Sequence, residues 1–483
     1  MPSNRVVKVR STGDSVTAQE MRDGIVAIQQ EMKVSATFPD AVERAAAEAA
    51  ANPRLPGLDR TDIELVTIDP ESARDLDQAM HIERDGDGYV VHYAIADVAA
   101  FVTPGDPVDV EANRRGETLY GASSKIPLHP TVLSEGAASL LPDEVRPALL
   151  WTIQVDDTGE GVDVQVERAL VKSRAKLSYE QVQADLDAGT ASPVMELLKE
   201  VGELRLAREA ARGGVSLPLP EQELVETGDG HWELEFRELL PAESWNAQIS
   251  LLTGMAAAGL MVYARTGILR TLPPADPRDV QRLHRTARAL GIEWPAEQLY
   301  PDFVRTLDPS KPTHAAMIVA CTRLLRGAGY VTFNGELPAY SQHSGLASEY
   351  AHVTAPLRRL ADRYAGEICL ALCAGTEVPE WVITAMTELP DTMAGSSRRA
   401  HQYENAIVDL CEAELLHDRV GETFTAVVVD LEEKDHTKGD ITIQDPAVEA
   451  RVTGESDLPL GEEVSVELVS ADPKTRKVQF RLA

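Results

Sequence analysis

Three aspartates fall within nine residues, from Asp69 to Asp77, where a β-rich run gives way to a loop. Asp75 and Asp77 are two residues apart, so their side chains would point the same way in a locally extended chain. Carboxylate oxygens are the ligands that Mg²⁺ prefers, and bound Mg²⁺ can activate water and stabilise the leaving oxygen in phosphodiester hydrolysis. A solvated acidic turn would have the same composition, since aspartate is common in turns. The spacing alone does not choose between these two interpretations.

The charge balance of the chain argues against a nucleic-acid substrate. Acidic residues number 78 and basic residues 46, which gives a net charge of −32. A protein that binds phosphates should carry basic surface. Either the outer surface is acidic and a basic path lies inside, or nucleic acid is not the substrate.

The elements that must position the aspartates suggest three units, as expected for 483 residues. Residues 1–55 read as two helices, at about 18–33 and 39–52, with residues 15–17 capping the first. They could form a helix-turn-helix or an inert docking arm. Residues 56–418 begin with strands at 63–68 and 89–98, separated by a turn at 85–88, and become mainly helical after residue 178. Residues 419–483 contain five short strand runs, which suit an OB-type barrel. The predicted fold class is therefore multidomain α+β.

The aspartate stretch T-I-D-x₅-D-x-D resembles a signature of the ribonuclease II and ribonuclease R family. Further motifs similar to those of the family follow in the family's order over about 300 residues. They are HYAIADV at 92–98, RGETLY at 115–120, KIPLHP at 125–130, LSYEQV at 177–182, HSGL at 343–346, YAH at 350–352 and TAPLRRLAD at 354–362.

The resemblance implies an RNB-type catalytic domain followed by an S1-like barrel. The implied activity is 3′→5′ hydrolysis of single-stranded RNA to nucleoside 5′-monophosphates, with Mg²⁺ as the cofactor and Mn²⁺ as an alternative. Asp69, Asp75 and Asp77 would hold the metal, and loss of Asp77 should matter most. Arg358 would face the scissile phosphate, because the planar fork of arginine suits phosphate oxygens.

The resemblance also implies a set of side chains that contact RNA. Tyr120 would stack on a base near the 3′ end, although a tyrosine in the core would look the same in the sequence. The complete set is Tyr120, Tyr179, His343, His352, Arg359 and Glu404. For the histidines the competing interpretation is a satisfied core residue, and for Glu404 it is a surface position on a helix.

One departure from the family pattern affects the chemistry. The family usually has a fourth aspartate directly after the third, and here Gln78 takes that place, so the fourth ligand would be a neutral carbonyl oxygen. Asp97 could substitute for it or could have a structural role at its strand end. The departure leaves open an inactive RNA-binding relative. A phosphodiesterase acting on DNA or on a small nucleotide is a third class, because no residue shows the sugar preference directly.

The remaining expectations concern the surroundings of the protein. We expect no apolar run that approaches the roughly 18 residues that span a bilayer, and no apolar signal segment at the N-terminus. We therefore expect a cytoplasmic protein that binds single-stranded RNA and no membrane, and a monomer, although nothing in the residues fixes the oligomeric state. Residues 421–483 include 14 acidic and 7 basic residues, so the C-terminal segment is poorly suited to follow a phosphate backbone.

Overall fold

A computed structural model describes residues 8–9, 16–121, 125–217, 221–227 and 231–483. Its strands are β1 (Lys8–Val9), β2 (Leu65–Ile68), β3 (Gln78–Asp85), β4 (Gly88–Ala96), β5 (Leu119–Tyr120), β6 (Lys125–Ile126), β7 (Val145–Val155), β8 (Gly161–Leu177), β9 (Glu221–Thr227), β10 (His231–Arg237), β11 (Thr266–Thr271), β12 (Gly329–Asn334), β13 (Gln342–His343), β14 (Ser348–Glu349), β15 (Thr423–Glu432), β16 (Asp435–Ile443), β17 (Val448–Thr453), β18 (Glu463–Asp472) and β19 (Lys477–Leu482).

The helices lie mainly between β8 and β15. They are α1 (Val16–Met32), α2 (Asp40–Ala51), α3 (Pro107–Arg115), α4 (Tyr179–Ala188), α5 (Pro193–Arg212), α6 (Pro241–Ala264), α7 (Pro277–Ala289), α8 (Tyr300–Val304), α9 (Pro312–Cys321), α10 (Leu360–Ala374), α11 (Glu380–Ala385) and α12 (Leu389–Leu416). Short 3₁₀ helices lie at Val98–Ala100, Thr322–Leu325 and His417–Arg419, and a π-helical turn lies at Leu133–Ala137.

A closed barrel with the strand order β2-β3-β4-β7-β8 carries the aspartate loop. β3 and β4 form a hairpin, and Gly86 supplies the positive φ of 58° that its tight turn requires. β2 pairs in parallel with β8, which closes the barrel beside the point where β2 ends. The predicted strands and turn are confirmed here. The residues of β4 beyond Gly88 are buried without alternation, because the barrel interior covers one face and the rest of the domain covers the other.

Helix α6 lies in the hydrophobic core of the region spanned by residues 56–418. Within the described residues it is the one helix long and apolar enough to cross a membrane. Residues 247–264 carry no charged side chain, so the expectation that no apolar run approaches this length is wrong. Trp245, Ile249 and Met261 are nevertheless buried in the largest hydrophobic cluster, and α6 packs against α5 and α10. These contacts are those of a core helix.

The two N-terminal helices form as predicted but pack on different surfaces. Met21, Ile25 and Ile28 of α1 join a cluster with α12, whereas Val42 and Ala46 of α2 join a cluster beside α3. The apolar face of each helix is therefore used for docking, which favours the docking-arm interpretation over a helix-turn-helix. The proposed cap at residues 15–17 lies outside the residues whose side chains the structure describes.

The C-terminal barrel is closed in the order β15-β16-β17-β19-β18, and its five strands match the five predicted runs. Between β11 and β12 the chain forms a helical insertion, α7 to α9, with its own hydrophobic cluster. Phe303, Met317 and Cys321 lie in that cluster together with Val429 of β15. The insertion therefore connects the catalytic region to the C-terminal barrel.

Candidate active site

The aspartate loop joins β2 to β3 and is fixed by backbone contacts. The amide of Asp69 donates to the carbonyl of Leu177 at 3.1 Å, at the closure of the barrel. The amide of the fully buried Leu76 donates to the Ser139 hydroxyl at 3.0 Å, and that hydroxyl donates to the carbonyl of Arg74 at 2.7 Å. These bonds hold the loop against a neighbouring segment, so the carboxylates do not depend on a flexible turn for their positions.

Asp77 is the most deeply placed of the three carboxylates, at 4% exposure. It accepts hydrogen bonds from the Leu357 amide at 2.8 Å and from Nε of Arg358 at 3.2 Å. Burial raises the pKa of Asp77 to about 7, although Arg358 and the Leu357 amide act in the opposite direction. Burial thus makes the ionised form of Asp77 costly.

Asp69 is incompletely satisfied. Its Oδ2 atom is buried and has no hydrogen-bond partner. Burial raises the pKa of Asp69 to about 6, and the charges of Arg358 and Lys176 reduce the shift. A buried carboxylate oxygen without a donor is costly for a folded chain, and it is common where a ligand or an ion completes the site.

Asp75 has a partner that the sequence analysis did not assign. Nζ of Lys125 lies 2.7 Å from Asp75 and 2.9 Å from Glu135, so the ammonium bridges the two acids. Lys125 belongs to the KIPLHP motif, but its position there gives no sign that it faces the aspartate loop. The contact between Lys125 and Asp75 forms because β6 lies beside the aspartate loop in the folded chain.

Gln78 is held by two hydrogen bonds of its amide group. Tyr93 donates to Oε1 at 2.5 Å, and Nε2 donates to the carbonyl of Thr354 at 2.6 Å. The carbonyl of Thr354 can only accept, so the orientation of the amide is determined. These contacts favour a positioning role, in which Gln78 links the start of β3 to β4 and to the segment before Arg358, over the predicted role as a metal ligand.

Arg358 meets the expectation that it faces the aspartate loop. Besides its bond to Asp77, its charge lowers the pKa of Asp69 and of the Tyr120 hydroxyl, while burial raises both. Its side chain is still 45% exposed, so a ligand can reach the guanidinium. Tyr120 therefore lies at the same site, with its hydroxyl toward Arg358.

A second polar layer lies behind Arg358. Arg359 forms a paired contact with Asp362, at 2.5 and 2.8 Å, and Nδ1 of His352 lies 2.6 Å from the Tyr330 hydroxyl. His343 packs edge-on against Tyr350, and its Nδ1 is buried without a partner. Burial lowers the pKa of His343 to about 4 and that of His352 well below its usual value. Both histidines are therefore neutral at pH 7.

Tyr179 and Glu404 complete the set of predicted RNA-contacting residues. Tyr179 begins α4, where the Asn246 amide donates to its hydroxyl at 3.3 Å, and burial together with the Asp69 charge raises its pKa to about 12. Glu404 is buried rather than on the helix surface. Burial and the neighbouring Glu117 raise its pKa to about 7.

Arg270 belongs to the second polar layer but was not singled out in the sequence. Its guanidinium lies over the Tyr330 ring at 4.8 Å, and its charge lowers the pKa of His343 and of His352. Arg270 lies outside the motifs that resemble those of the family, so the sequence did not predict its place at the site.

Asp97 has a structural role. It is 2% exposed and accepts from Nε of Arg168 at 2.6 Å, and the same guanidinium also contacts Glu367. This ion-pair network uses both oxygens of Asp97, since Nη2 of Arg168 reaches the second at 3.4 Å. Asp97 is therefore not available to replace the missing fourth aspartate.

The donor chemistry of the loop fits a divalent cation. The partnerless Asp69 oxygen and the raised pKa values of Asp69 and Asp77 are what a positive ion would compensate. No three acidic, histidine or cysteine side chains converge as a metal site within the described part of the chain. Asp75 is instead paired with Lys125.

The barrel, the aspartate loop and the arginine opposite it define a nuclease-type domain, and comparison with known families identifies it. The model of the RNB domain matches residues 58–372, well over half of the chain, and the model of the RNase II-type exonuclease C-terminal S1 domain matches residues 422–483. The chain therefore belongs to the RNB family, which confirms the resemblance recognised in its motifs.

Curated relatives are similar over most of this chain. Ribonuclease R of Escherichia coli is 28% identical over 419 residues, which cover 81% of this chain and 51% of that protein. The probable exosome complex exonuclease RRP44 of Caenorhabditis elegans is 30% identical over 329 residues, 64% of this chain and 34% of that protein. The chain thus spans about half the length, or less, of these relatives.

Solved structures share the fold. Mycoplasma genitalium RNase R, in complex with ribose methylated single-stranded RNA, matches with a TM-score of 0.84 and 19% identity over 96% of this chain and 78% of that chain. Yeast Ssd1, described as a pseudonuclease, matches with a TM-score of 0.70 and 16% identity over 92% of this chain and 57% of that chain. The predicted α+β architecture with a C-terminal five-stranded barrel is confirmed.

Proposed function

We propose that this chain is a 3′→5′ exoribonuclease that hydrolyses single-stranded RNA to nucleoside 5′-monophosphates with Mg²⁺. Membership of the RNB family and similarity to ribonuclease R support the reaction class. The observation that carries the proposal is the pairing of Arg358 with Asp77, at 3.2 Å, beside the incompletely satisfied Asp69. A loop of buried acids opposite an accessible arginine suits a phosphodiester and a cation together.

Arg358 is the residue that would bind the scissile phosphate. It is accessible to a ligand, and its contact with Asp77 already fixes the direction of its guanidinium. Donors held in place before the reaction stabilise charge that develops on phosphate oxygens without a cost of reorganisation. The Tyr120 hydroxyl lies close enough to Arg358 for their charges to interact, so Tyr120 would contact the same nucleotide.

Asp69, Asp75 and Asp77 are the residues that would hold Mg²⁺, with Mn²⁺ as an alternative. When bound, such an ion supplies an activated water and neutralises charge on the phosphate. Asp69 and Asp77 face the site, while Asp75 would have to exchange its contact with Lys125 for the ion. The hydrogen bonds of Gln78 would keep Asp77 in position by fixing the residue next to it.

The second polar layer would contact the nucleotides upstream of the cleaved bond. His343, His352 and Arg359 lie there with Tyr330 and Arg270. The two neutral histidines suit hydrogen bonding and packing rather than charge neutralisation. Tyr179 would contact the last nucleotides, because its hydroxyl lies near Asp69. Glu404 would act through its neighbour Glu117.

The test is degradation of a 5′-labelled single-stranded RNA of about 30 nucleotides, with a circular RNA of the same sequence as a second substrate. We expect Mg²⁺-dependent shortening of the linear strand, release of nucleoside 5′-monophosphates and no cleavage of the circle. EDTA and Asp77→Asn should each abolish release. Asp87→Asn, in an exposed turn of the same barrel, is the matched control and should behave as wild type. Cleavage of the circle would contradict exonuclease action.

A catalytically weakened RNA-binding protein is the second candidate. Gln78 in place of the family's usual aspartate favours it, and a pseudonuclease with this fold exists in yeast Ssd1. A gel shift of the linear RNA without any mononucleotide release, in Mg²⁺ and in Mn²⁺, would replace the first proposal with this one.

A further inference from the structure

Helix α7 is strongly basic, although the chain as a whole is strongly acidic. Its 13 residues contain four arginines, Arg278, Arg282, Arg285 and Arg288, and a single acid, Asp279. At 100° per residue the four arginines fall within about a third of the helix circumference. The buried residues Leu283 and Ala287 lie on the opposite side. The helix therefore presents one continuous basic face.

Most of this face is accessible and is not neutralised. Arg278, Arg285 and Arg288 are exposed, and in the described parts of the chain no acidic side chain forms an ion pair with any of them. Arg282 alone is paired, with Glu433. Surface arginines in a chain of net charge −32 have many acids to pair with. Three arginines without a partner on one helix face therefore stand out from the rest of the surface.

The basic face begins beside the C-terminal barrel. Glu433, the partner of Arg282, lies in the turn between β15 and β16. Beneath α7, helix α9 packs directly on β15. Residues 421–483, which contain the barrel, have 14 acidic and 7 basic side chains, so the cationic surface at this junction is supplied by α7.

The other end of the face leads toward the candidate active site. Arg278 is eight residues from Arg270, a separation of at most about 28 Å even for an extended chain. Between them the Tyr340 hydroxyl donates to the carbonyl of Leu272 at 3.0 Å, which fixes the tyrosine while its side chain stays 37% exposed. Leu272 also pairs with His343 of the second polar layer. An anchored aromatic side chain thus contacts the chain segment that connects the site to the arginines of α7.

We propose that the basic face of α7, defined by Arg278, Arg285 and Arg288, together with Tyr340, binds the backbone and a base of single-stranded RNA upstream of the active site. This inference rests on the proposed function. The arginines contact successive phosphates and Tyr340 stacks on a base, the combination by which proteins bind single strands without sequence preference.

The combination of residues favours RNA over other anionic partners. An acidic protein or an anionic membrane would suit the arginines but would have no use for an anchored, half-exposed tyrosine against the segment that connects them to the site. Apolar side chains that could insert into lipid are on the buried side of α7. The chain segment at Leu272 links this face to the residues proposed to contact RNA. The face would therefore bind the part of the strand upstream of the active site.

The experiment compares two triple variants in the Asp77→Asn background, so that RNA is bound but not consumed. The test variant is Arg278→Ser, Arg285→Ser and Arg288→Ser. The matched control removes the same charge from three solvent-accessible arginines in or next to the C-terminal barrel that are paired with acids, through Arg419→Ser, Arg451→Ser and Arg481→Ser. Affinity for a 30-nucleotide single strand is measured by fluorescence anisotropy between about 50 and 300 mM salt. Tyr340→Leu is measured separately in the same background.

The test variant should bind at least about tenfold more weakly at low salt, and its slope of log K against log salt should fall by about 2, since each phosphate contact of a single strand contributes roughly 0.7. The control variant should keep the wild-type slope. Tyr340→Leu should weaken binding by about tenfold without changing the slope, because stacking contributes about 1–3 kcal/mol per base.

Equal slopes for the two triple variants would overturn the inference, and so would binding of the face to anionic vesicles or acidic peptides in preference to RNA. Failure of the proposed function would look different. In that case the protein with Asp77 intact would release no mononucleotides, whatever the slopes. A loss of cleavage that is larger on a 30-nucleotide strand than on a six-nucleotide strand would link the face to the reaction.

Discussion

Asp77 and Asp97 are both buried aspartates beside an arginine, at the same end of the neighbouring strands β3 and β4, but their surroundings differ. Asp97 shares Arg168 with Glu367, and both of its oxygens have donors. Asp77 has an amide and a single contact from Arg358, and its neighbour Asp69 has a buried oxygen with no donor. The Arg168 network is complete within the protein, whereas the aspartate loop is not.

This difference in hydrogen bonding distinguishes acids that stabilise the fold from acids whose hydrogen bonding a ligand would complete. Burial raises the pKa values of Asp69 and Asp77 toward neutrality, so the folded chain bears a cost at this loop. Such a cost is common at functional sites. The four substitutions below test this separation.

Asp77→Asn should have the largest effect on the reaction. It removes the carboxylate that the account places at the centre of the site while keeping the size of the side chain. Mononucleotide release should fall more than about 1,000-fold, equivalent to roughly 4 kcal/mol of transition-state stabilisation. Single-turnover rates on excess enzyme measure the effect. A rate within tenfold of wild type would remove Asp77 from the reaction.

Comparison of wild type with Asp77→Asn should also show a pH dependence of the free energy of unfolding, measured in EDTA. The pKa of Asp77 in the folded protein, about 7, lies above its ordinary value of 3.8. The protonated form is therefore favoured by folding, and the associated stability is complete below about pH 4 and is lost as pH rises through 7. Relative to Asp77→Asn, wild type should become less stable between pH 4 and 7 and then level off. A constant difference across that range would contradict the raised pKa.

Arg168→Met should affect stability rather than the reaction. It leaves Asp97 and Glu367 close together without their shared counter-charge, which should cost about 3 kcal/mol of the free energy of unfolding. Urea unfolding measures the loss, with Arg174→Met on the same strand as the exposed control. The rate per folded molecule should stay at the wild-type value. A selective loss of rate would mean that the two acids are not separated in function.

Arg358→Lys should reduce the rate with little effect on the fold. Lysine keeps the positive charge but lacks the planar fork that can bind two phosphate oxygens. We expect kcat to fall by about 100-fold, or roughly 2.7 kcal/mol, while KM changes far less. Steady-state kinetics on a single-stranded RNA separate the two parameters. An unchanged kcat would show that charge alone suffices at this position.

Gln78→Asp should have the smallest effect, and it restores the acid that the family usually has. A carboxylate has no N–H to donate to the Thr354 carbonyl, and the aspartate is also shorter, so two hydrogen bonds are lost or weakened at a cost of about 1–2 kcal/mol in unfolding free energy. Gln78→Glu is the length-matched control. A variant that is as stable as wild type and binds Mg²⁺ more tightly would show that Gln78 is a weakened ligand instead.

Much of the architecture could be predicted because it depends on local pattern. The alternating and β-rich runs of the C-terminal segment gave five strands, and the motif order placed Asp77 and Arg358 in one site although 281 residues separate them. The contact between Lys125 and Asp75, the bonds of Gln78 and the Arg168 network were not predictable. Each joins side chains whose spacing in sequence carries no periodicity, so only the packing of other elements against the barrel brings them together.

The most direct test of the account is mononucleotide release by wild type, Asp77→Asn and Asp97→Asn, each corrected for the fraction of folded protein. The account predicts release by wild type and Asp97→Asn at similar rates per folded molecule, and none by Asp77→Asn. Equal loss in both variants, or no release by any of the three while all bind RNA, would contradict the assignment of the aspartate loop as the catalytic centre.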